Sequence, residues 1–417
     1  MNILHIGKYY PPCHGGIENF VKDLSEAQVE LGHSITVLCH QHSFSLRPTR
    51  ELHNSIQVIR APILGRLAFA PLSPSFVGLL YAVQKNNSPD VIHVHLPNLS
   101  ALVIAFLPGL SQIVVHWHSD VVSAPGISLL RLLYPVYQIF EQRLLQRARR
   151  IIVTSRAYLE TSRPLAPYSD KCAVIPLGLQ LQRMTKPSAL PSVREPDRAR
   201  AINHDQHLHN AGTGSRHVDD GHSIHHDAFW LRIAESRWLV VAVGRFTIYK
   251  GFDVLIRAAK LLPHVTFVIV GDGPLWKNMN ALARTLGVEQ NVLLPGSLAN
   301  SDLHRLLAEC DVFALSSVER TEAFGLVLLE AMHYGKSLIT TSVVGSGMSE
   351  VNIHGQTGLV VPVGDAQAMA QAIDTLCTNS SLRNTLGSNA HQRLRERFTI
   401  GAVAQQVDRL YGSIHSR

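Results

Sequence analysis

Short apolar runs rich in β-branched residues alternate with segments of helical period through residues 1–180, the pattern of a parallel sheet with crossover helices. The runs predict strands over residues 2–7, 35–39, 57–60, 91–95, 113–118, 151–154 and 173–175. Between the first two, Ile17, Phe20, Val21, Leu24, Ala27 and Leu31 fall on one face of a helix over 16–31, a strand-helix-strand opening. The alternation resumes after residue 237, with strands near 239–243, 267–270, 292–294, 312–315 and 338–340, each followed by a helical stretch. The chain therefore carries two α/β units. Residues 183–237 between them lose the alternation and become rich in Pro, Arg and then His, with His204, His207, His209, His217, His222, His225 and His226 on a Gly, Asp, Asn and Ser background. This stretch reads as an inserted low-complexity loop. A transition-metal site is the competing reading, weakened by irregular spacing and by the lack of a Cys or a strand to anchor it.

A length of 417 residues predicts two or three domains, and 46% hydrophobic with 17% charged residues is the balance of a folded globular chain. The 38 Lys and Arg against 31 Asp and Glu give a formal charge of +7, which favours anionic partners without choosing among phosphorylated ligands, nucleic acid and anionic membranes. Cys13, Cys39, Cys172, Cys310 and Cys377 show no C-x-x-C spacing, which argues against a disulfide framework or a zinc ribbon and predicts reduced thiols in a cytoplasmic compartment. Neither a signal peptide nor a transmembrane helix is expected, because no basic start leads into a long apolar core and no window offers about 18 uninterrupted apolar residues.

Most of the candidate chemistry lies in Glu319-Arg-Thr-Glu-Ala-Phe-Gly-Leu-Val-Leu-Leu-Glu-Ala-Met-His-Tyr-Gly335, which follows a strand and runs into a helix. Glu322 stands before the turn and Glu330 on the helix body. Around Phe324, Gly325 and Leu326 the free N–H groups of the helix start favour an anion, and a diphosphate fits that place. Carboxylates beside it would repel it, so Glu322 and Glu330 read as acceptors for hydroxyls on either side, a sugar and a ribose; solvated helix acids are the plainer alternative. A second loop, Val243-Gly-Arg-Phe-Thr-Ile-Tyr-Lys-Gly251, sets Arg245 and Lys250 beyond the carboxyl end of a strand, where open α/β sheets bind ligands. Two cations there can hold a diphosphate, or form an ordinary basic surface loop.

Gly15 and Gly16, just after the first strand, allow close backbone approach at a helix start, or serve a tight turn. The full G-x-G-x-x-G is missing, which argues against hydride transfer. His116-Trp-His-Ser-Asp120 ends another strand and directs His118 and Asp120 toward the ligand region. Zinc is disfavoured there on the expectation that near neighbours on a strand alternate sides and do not converge. His118 reads as a ligand-facing hydrogen-bonding group, with a satisfied core histidine as the other reading.

Together these segments resemble the retaining nucleotide-sugar glycosyltransferases of family 4. The E-x7-E spacing of Glu322 and Glu330 is the specific part. Supporting it are Val-Gly-Arg-Phe and Lys-Gly-Phe-Asp within 243–253, Val-Gly-Asp-Gly-Pro at 270–274 and the early Gly-Gly-Ile-Glu. The resemblance covers nearly the whole chain except 183–237. It implies an α/β GT-B fold, two Rossmann-like doubly wound domains facing across a cleft, with a C-terminal helix crossing back to the first domain. The expected partition is 1–182 for acceptor binding, 183–237 as insertion, 238–400 for nucleotide-sugar binding and 401–417 as the crossover helix.

By the same resemblance, Arg245 and Lys250 bind the donor diphosphate and the backbone of Phe324, Gly325 and Leu326 its phosphates. Glu330 holds the ribose, Glu322 the transferred sugar, and His118 lies near the reacting carbon. The acceptor hydroxyl attacks from the leaving-group face. No D-x-D pair is present, so no metal and no separate cofactor are expected; the donor is a GDP- or UDP-linked sugar and the acceptor a glycan or lipid-linked glycan, with no nucleic acid. Residues 116–120 and 168–178 look most like members that build bacterial surface polysaccharides, many using GDP-mannose, which makes mannose the first candidate. A UDP-sugar transferase, a catalytically silent nucleotide-sugar binder and a nucleotide-sugar epimerase are the other readings.

A lipid-linked acceptor would bring the first domain to the inner face of the cytoplasmic membrane. Two segments suit peripheral contact there: 63–83, and 129–150, where Leu132, Leu133, Val136, Ile139, Phe140 and Leu144 accompany Arg131, Arg143, Arg147, Arg149 and Arg150. Burial of that helix against its sheet is the alternative.

Overall fold

The computed structural model describes residues 1–13, 15–67, 70–110, 112–121, 128–185 and 226–415. They form two compact units, Met1–Gln180 with Gly345–Gly347 and Arg397–Arg417, and Leu181–Val344 with Met348–Glu396.

The first unit is built on β1 (Asn2–Ile6), β2 (Ser34–His40), β3 (Thr49–His53), β4 (Ile56–Ala61), β5 (Gly65–Leu67), β6 (Ala70–Leu72), β7 (Val91–Leu96), β8 (Gln112–Trp117), β9 (Arg150–Val153) and β10 (Cys172–Val174). Its main sheet runs β10-β9-β8-β7-β1-β2-β4-β3, parallel throughout except for β3, while β5 and β6 pair as a separate small hairpin. The chain steps outward from β1 through β2 to β4, then returns to the other side of β1 as β7. That reversal creates a switch point between β1 and β7, where doubly wound sheets take their ligands. The central strands are buried along almost their whole length, so they read as unbroken apolar runs. Strand β3, Thr-Arg-Glu-Leu-His, is exposed at every residue and carries no such signal.

The helix Gly16–Glu30 buries Phe20, Val21, Leu24 and Ala27. Its apolar face is narrower than the sequence implies: Ile17 is only half-buried and Leu31 is 40% exposed, because the helix stops at Glu30 and the chain turns through the left-handed Gly32. The helix Ile400–His415 packs against it and buries Val403, Ala404, Val407, Tyr411 and Ile414. The chain thus leaves the first unit and later returns to complete its core.

The second unit is a six-stranded, wholly parallel sheet of β11 (Trp238–Val243), β12 (Val265–Val270), β13 (Val292–Gly296), β14 (Val312–Leu315), β15 (Ser337–Thr341) and β16 (Gly358–Val361), in the order β13-β12-β11-β14-β15-β16. Its switch point falls between β11 and β14. The helix Phe252–Leu261 packs on Ala366–Thr378 over a core that includes Phe246, Phe267, Leu255, Ile373 and Leu376. The histidines from His204 to His225 lie outside the described residues. The expected loop is corrected at its far end, where His226–Ala234 is a helix that buries Phe229, Trp230 and Ile233. Those three fall on one helical face, a signal masked by the polar composition just before it.

Glu141, on the helix Ser128–Arg147, is fully buried. Burial first, and then the charge of Asp120, push its carboxyl from the ordinary 4.5 up to about 8, and neither carboxyl oxygen has a hydrogen-bond partner among the described residues. The folded protein therefore keeps a proton that the unfolded chain loses, and stability falls as pH rises from the ordinary value toward the raised one. Glu141→Gln should remove that loss. Thermal melting should show the variant matching wild type near pH 5 and gaining steadily to pH 8, by roughly 3 to 5 kcal/mol; parallel curves would mean that Glu141 ionises normally.

Candidate functional site

In the second unit, the strands flanking the switch point end in the loops that carry the charged candidates. After β11 the chain closes a short turn at Ile248–Lys250 and enters the next helix through Gly251, whose φ of +60° is left-handed. A Cβ there would lie 2.3 Å from the carbonyl oxygen of Ser316, so the loops after β11 and β14 meet backbone to backbone only because this residue is glycine. Val318 N–H donates to Tyr249 O at 2.7 Å and Ser316 Oγ to Lys250 O at 3.0 Å.

This packing sets Lys250 Nζ 2.5 Å from Glu322 Oε2, which also accepts from Ser317 Oγ at 3.1 Å. Lys250 is 7% exposed and Glu322 8%. Burial opposes the ammonium charge, but Glu322, aided by Tyr249, outweighs it and holds the Lys250 pKa above its ordinary value. The base of the pocket for Lys250 is Gly244, where a Cβ would come 2.9 Å from Lys250 Cε. Gly271 and Gly273 bring the Val-Gly-Asp-Gly-Pro turn up under this loop: Gly244 N–H donates to Val270 O and Phe246 N–H to Asp272 O, each at 2.9 Å.

Arg245 is exposed on the same loop and its side chain has no partner among the described residues. Past Glu322, Phe324 is buried, and Gly325, at φ +82°, turns the chain into the helix Leu326–His333. Leu328 N–H already bonds Gly325 O at 2.8 Å, while the first amides of such a helix have no intrahelical acceptor. Glu330 is half-buried on this helix, and its charge adds to burial in raising the Tyr334 hydroxyl pKa. The structure therefore brings Lys250, Glu322, Arg245 and the 324–326 turn to one switch point, with Glu330 about 6 Å up the helix axis from Leu326 at ~1.5 Å per residue.

The other candidates lie in the first unit. Gly15 is the N-cap of the helix Gly16–Glu30 in ordinary extended backbone, and a Cβ there would meet the Glu18 carboxylate. Gly16 is exposed. Asp120 is engaged structurally: Oδ1 accepts from Trp117 Nε1 at 2.9 Å and Ser162 Oγ at 2.7 Å. His116 and His118 do not diverge as expected. Residues two apart on a strand share a face, and the two rings stack 4.3 Å apart at 3°.

They belong to a buried set that sequence reasoning missed, with His5 on β1 and His93 and His95 on β7. Register pairs His5 with His93 and His95 with His116. The repeated H-x-H spacing was a visible signal; the neighbouring strands that align it were not. Ser316 and Ser317 were missed as well, since hydroxyls at a strand end carry no distinctive pattern.

Residues 226–393 match the family described as glycosyl transferases group 1, and residues 14–183 match Glycosyltransferase Family 4. The D-rhamnosyltransferase WbpZ of Pseudomonas aeruginosa is 30% identical over 406 residues, covering 96% of this chain and 92% of its own. The chain belongs to these glycosyltransferases. The O-antigen chain mannosyltransferase C of Escherichia coli is 28% identical over 421 residues and 99% of both chains. Among solved structures, the sucrose-phosphate synthase of Thermosynechococcus elongatus superimposes with a TM-score of 0.73 at 21% identity over 100% of this chain and 99% of its own. The lipopolysaccharide glycosyltransferase WaaG gives 0.65 at 19% over 99% of both. These likenesses carry the GT-B fold with its two Rossmann-like units.

The buried pair of this glycosyltransferase yields a stability test. Lys250→Met should cost about 3 to 5 kcal/mol, because a carboxylate is left charged out of water. Adding Glu322→Leu should restore a large part of it. Chemical denaturation of both single variants and the double measures the coupling, and simply additive losses would mean that the pair is not a buried unit.

Proposed function

We propose that this glycosyltransferase is a retaining hexosyltransferase that moves mannose, or a 6-deoxy relative of it, from a nucleoside diphosphate to a glycan or lipid-linked glycan of a bacterial surface polysaccharide. The observation that carries the reading is the meeting of Arg245, the Lys250–Glu322 pair and the start of the helix Leu326–His333 at the ends of β11 and β14. The full-length relatives named for mannosyl and rhamnosyl transfer support the sugar class. Breaking a sugar–phosphate bond needs a fixed positive field around the departing diphosphate and a tolerated positive charge on the sugar. Arg245 and the helix amides supply the first without reorganising. Lys250 has three N–H donors, so it can keep Glu322 and still reach a phosphate oxygen. These protein cations take the place that a divalent ion would fill. Glu330 accepts from the ribose, Glu322 turns its carboxylate edge to the sugar, and the acceptor hydroxyl attacks on the leaving-group face, its proton passing to a phosphate oxygen.

A panel of GDP-, UDP- and ADP-sugars with a lipid-linked acceptor decides this. Acceptor-dependent release of GDP with retained anomeric configuration is expected; isomerisation of an intact donor would reject transfer. Arg245→Ala should lower kcat/KM tenfold to a hundredfold, about 1.4 to 3 kcal/mol, with an unchanged melting temperature because the side chain is exposed. Full activity in that variant would move the diphosphate elsewhere.

A lipid-linked acceptor also requires membrane contact. Among the described residues no helix is long and apolar enough to cross a membrane. Of the two segments suited to an interface, 63–83 divides into the β5-β6 hairpin and the helix Phe76–Asn87, which buries Phe76, Leu80 and Val83. The helix Ser128–Arg147 buries Leu144 and Leu145 but exposes Val136 (56%) and Ile139 (65%), beside Phe106 (52%). The Arg143 guanidinium lies over the Phe106 ring. The side chains of Arg131, Leu132 and Leu133 fall outside the described residues. Flotation with anionic liposomes should carry the protein at low salt and release it at high salt, since screening acts within about 8 Å at physiological strength. Ile139→Asp should abolish it; soluble protein under every condition would point to a soluble acceptor.

A further inference from the structure

Four buried histidines of the first unit, His5, His93, His95 and His118, form a connected string with Gln28 and Tyr411, while both ring nitrogens of His116 have no hydrogen-bond partner among the described residues. Gln28 Nε2 donates to the Tyr411 hydroxyl at 3.4 Å, and the Gln28 amide oxygen lies 2.7 Å from His5 Nε2. His5 Nδ1 is 3.0 Å from His95 Nε2, and His95 Nδ1 is 3.0 Å from His118 Nε2. The Tyr411 hydroxyl is 2.5 Å from His93 Nδ1. The far end, His118 Nδ1, is buried with no partner, just beyond the carboxyl end of β8.

Burial keeps these rings neutral: it drives His5 down to about 4, His118 to about 3, and His93 and His95 well below the ordinary value. A neutral imidazole carries one N–H, so each ring that accepts on one nitrogen must donate on the other. The whole string can therefore point only one way or the other, and the Gln28 amide decides which. The distances choose. A 2.7 Å contact suits His5 N–H on the amide oxygen, and a 2.5 Å contact suits the Tyr411 O–H on His93, leaving the long 3.4 Å contact to the amide N–H. His95 Nε2–H then donates to His5, and His118 Nε2–H to His95.

We propose that this string is a tautomer lock, in which Gln28 and Tyr411 act as positioning residues that hold the His118 proton on Nε2 and keep Nδ1 as a bare acceptor for a sugar hydroxyl. That the hydroxyl belongs to a sugar rests on the glycosyltransferase reading above; the lock itself does not. Nitrogens of His5, His93 and His95, and of His95, His116 and His118, come within 4.8 Å of one another; in the first group His5 Nδ1 and His95 Nε2 are spent on each other at 3.0 Å, and the second is not arranged as a chelate. A ligand nitrogen points its lone pair in the ring plane, and the nearly parallel rings of His116 and His118 cannot both contain one ion in their planes.

Nitrogen-15 NMR of histidine-labelled protein without donor reads the tautomers directly. His5, His95 and His118 should each show the proton on Nε2. Gln28→Met should populate both tautomers at His118 and lower kcat/KM about tenfold, whereas Gln28→Glu, which still accepts from His5, should restore both. Tyr411→Phe gives a second route to the same shift if Gln28→Met fails to fold. A His118 proton on Nδ1 in wild type, tautomers unmoved in both variants, or one equivalent of zinc held by the purified protein would overturn the lock. Tautomers that follow Gln28 in a protein inactive with every donor would keep the lock and reject its link to the sugar.

Discussion

Two opposite charges held out of water govern the second unit. Neither Lys250 nor Glu322 is tolerable alone at that depth, so each fixes the loop that carries the other. The pair is possible only because β11 and β14 are neighbours and because Gly251 and Gly244 surrender the volume of a side chain. Everything proposed for the diphosphate inherits that rigidity. The proposed phosphate would meet at Lys250 a cation already desolvated and aimed, so the reorganisation that water would demand would be settled before the ligand arrives.

The first unit solves a different problem. Its central strands bury polar rings where an apolar layer would pack with less risk, and a half-satisfied buried network is costly. The string from Tyr411 to His118 spends its hydrogen bonds in sequence, while His118 Nδ1, His93 Nε2 and both ring nitrogens of His116 keep no hydrogen-bond partner among the described residues. Glu141 shows the other outcome, a buried acid that stays neutral because its neighbourhood offers no better terms.

Much of this was legible in the chain. Strands buried on both faces must be apolar, so the parallel sheets announced themselves, and the acids and bases fell at strand ends where loops gather. What stayed hidden depends on tertiary order. Strand β3 is polar because it is an edge, and β16 is a short run between glycine-bearing turns. Local pattern sets Glu322 and Lys250 each beyond a strand end but does not make them partners, since that requires knowing that β11 lies beside β14. His116 and His118 stack instead of diverging because a spacing of two on a strand returns to the same face. Gln28 and Tyr411 stand far apart along the chain, and no local pattern joins them.

The helix Ile400–His415 has a bearing on synthesis. A ribosome delivers the first unit's sheet early, yet Val403, Val407 and Tyr411, which close its interior against the helix Gly16–Glu30, emerge only after the whole second unit has been made. The usual order in which the leading domain matures first is therefore inverted. The second unit has all its strands while still tethered, and the first keeps an open flank until translation reaches residue 415.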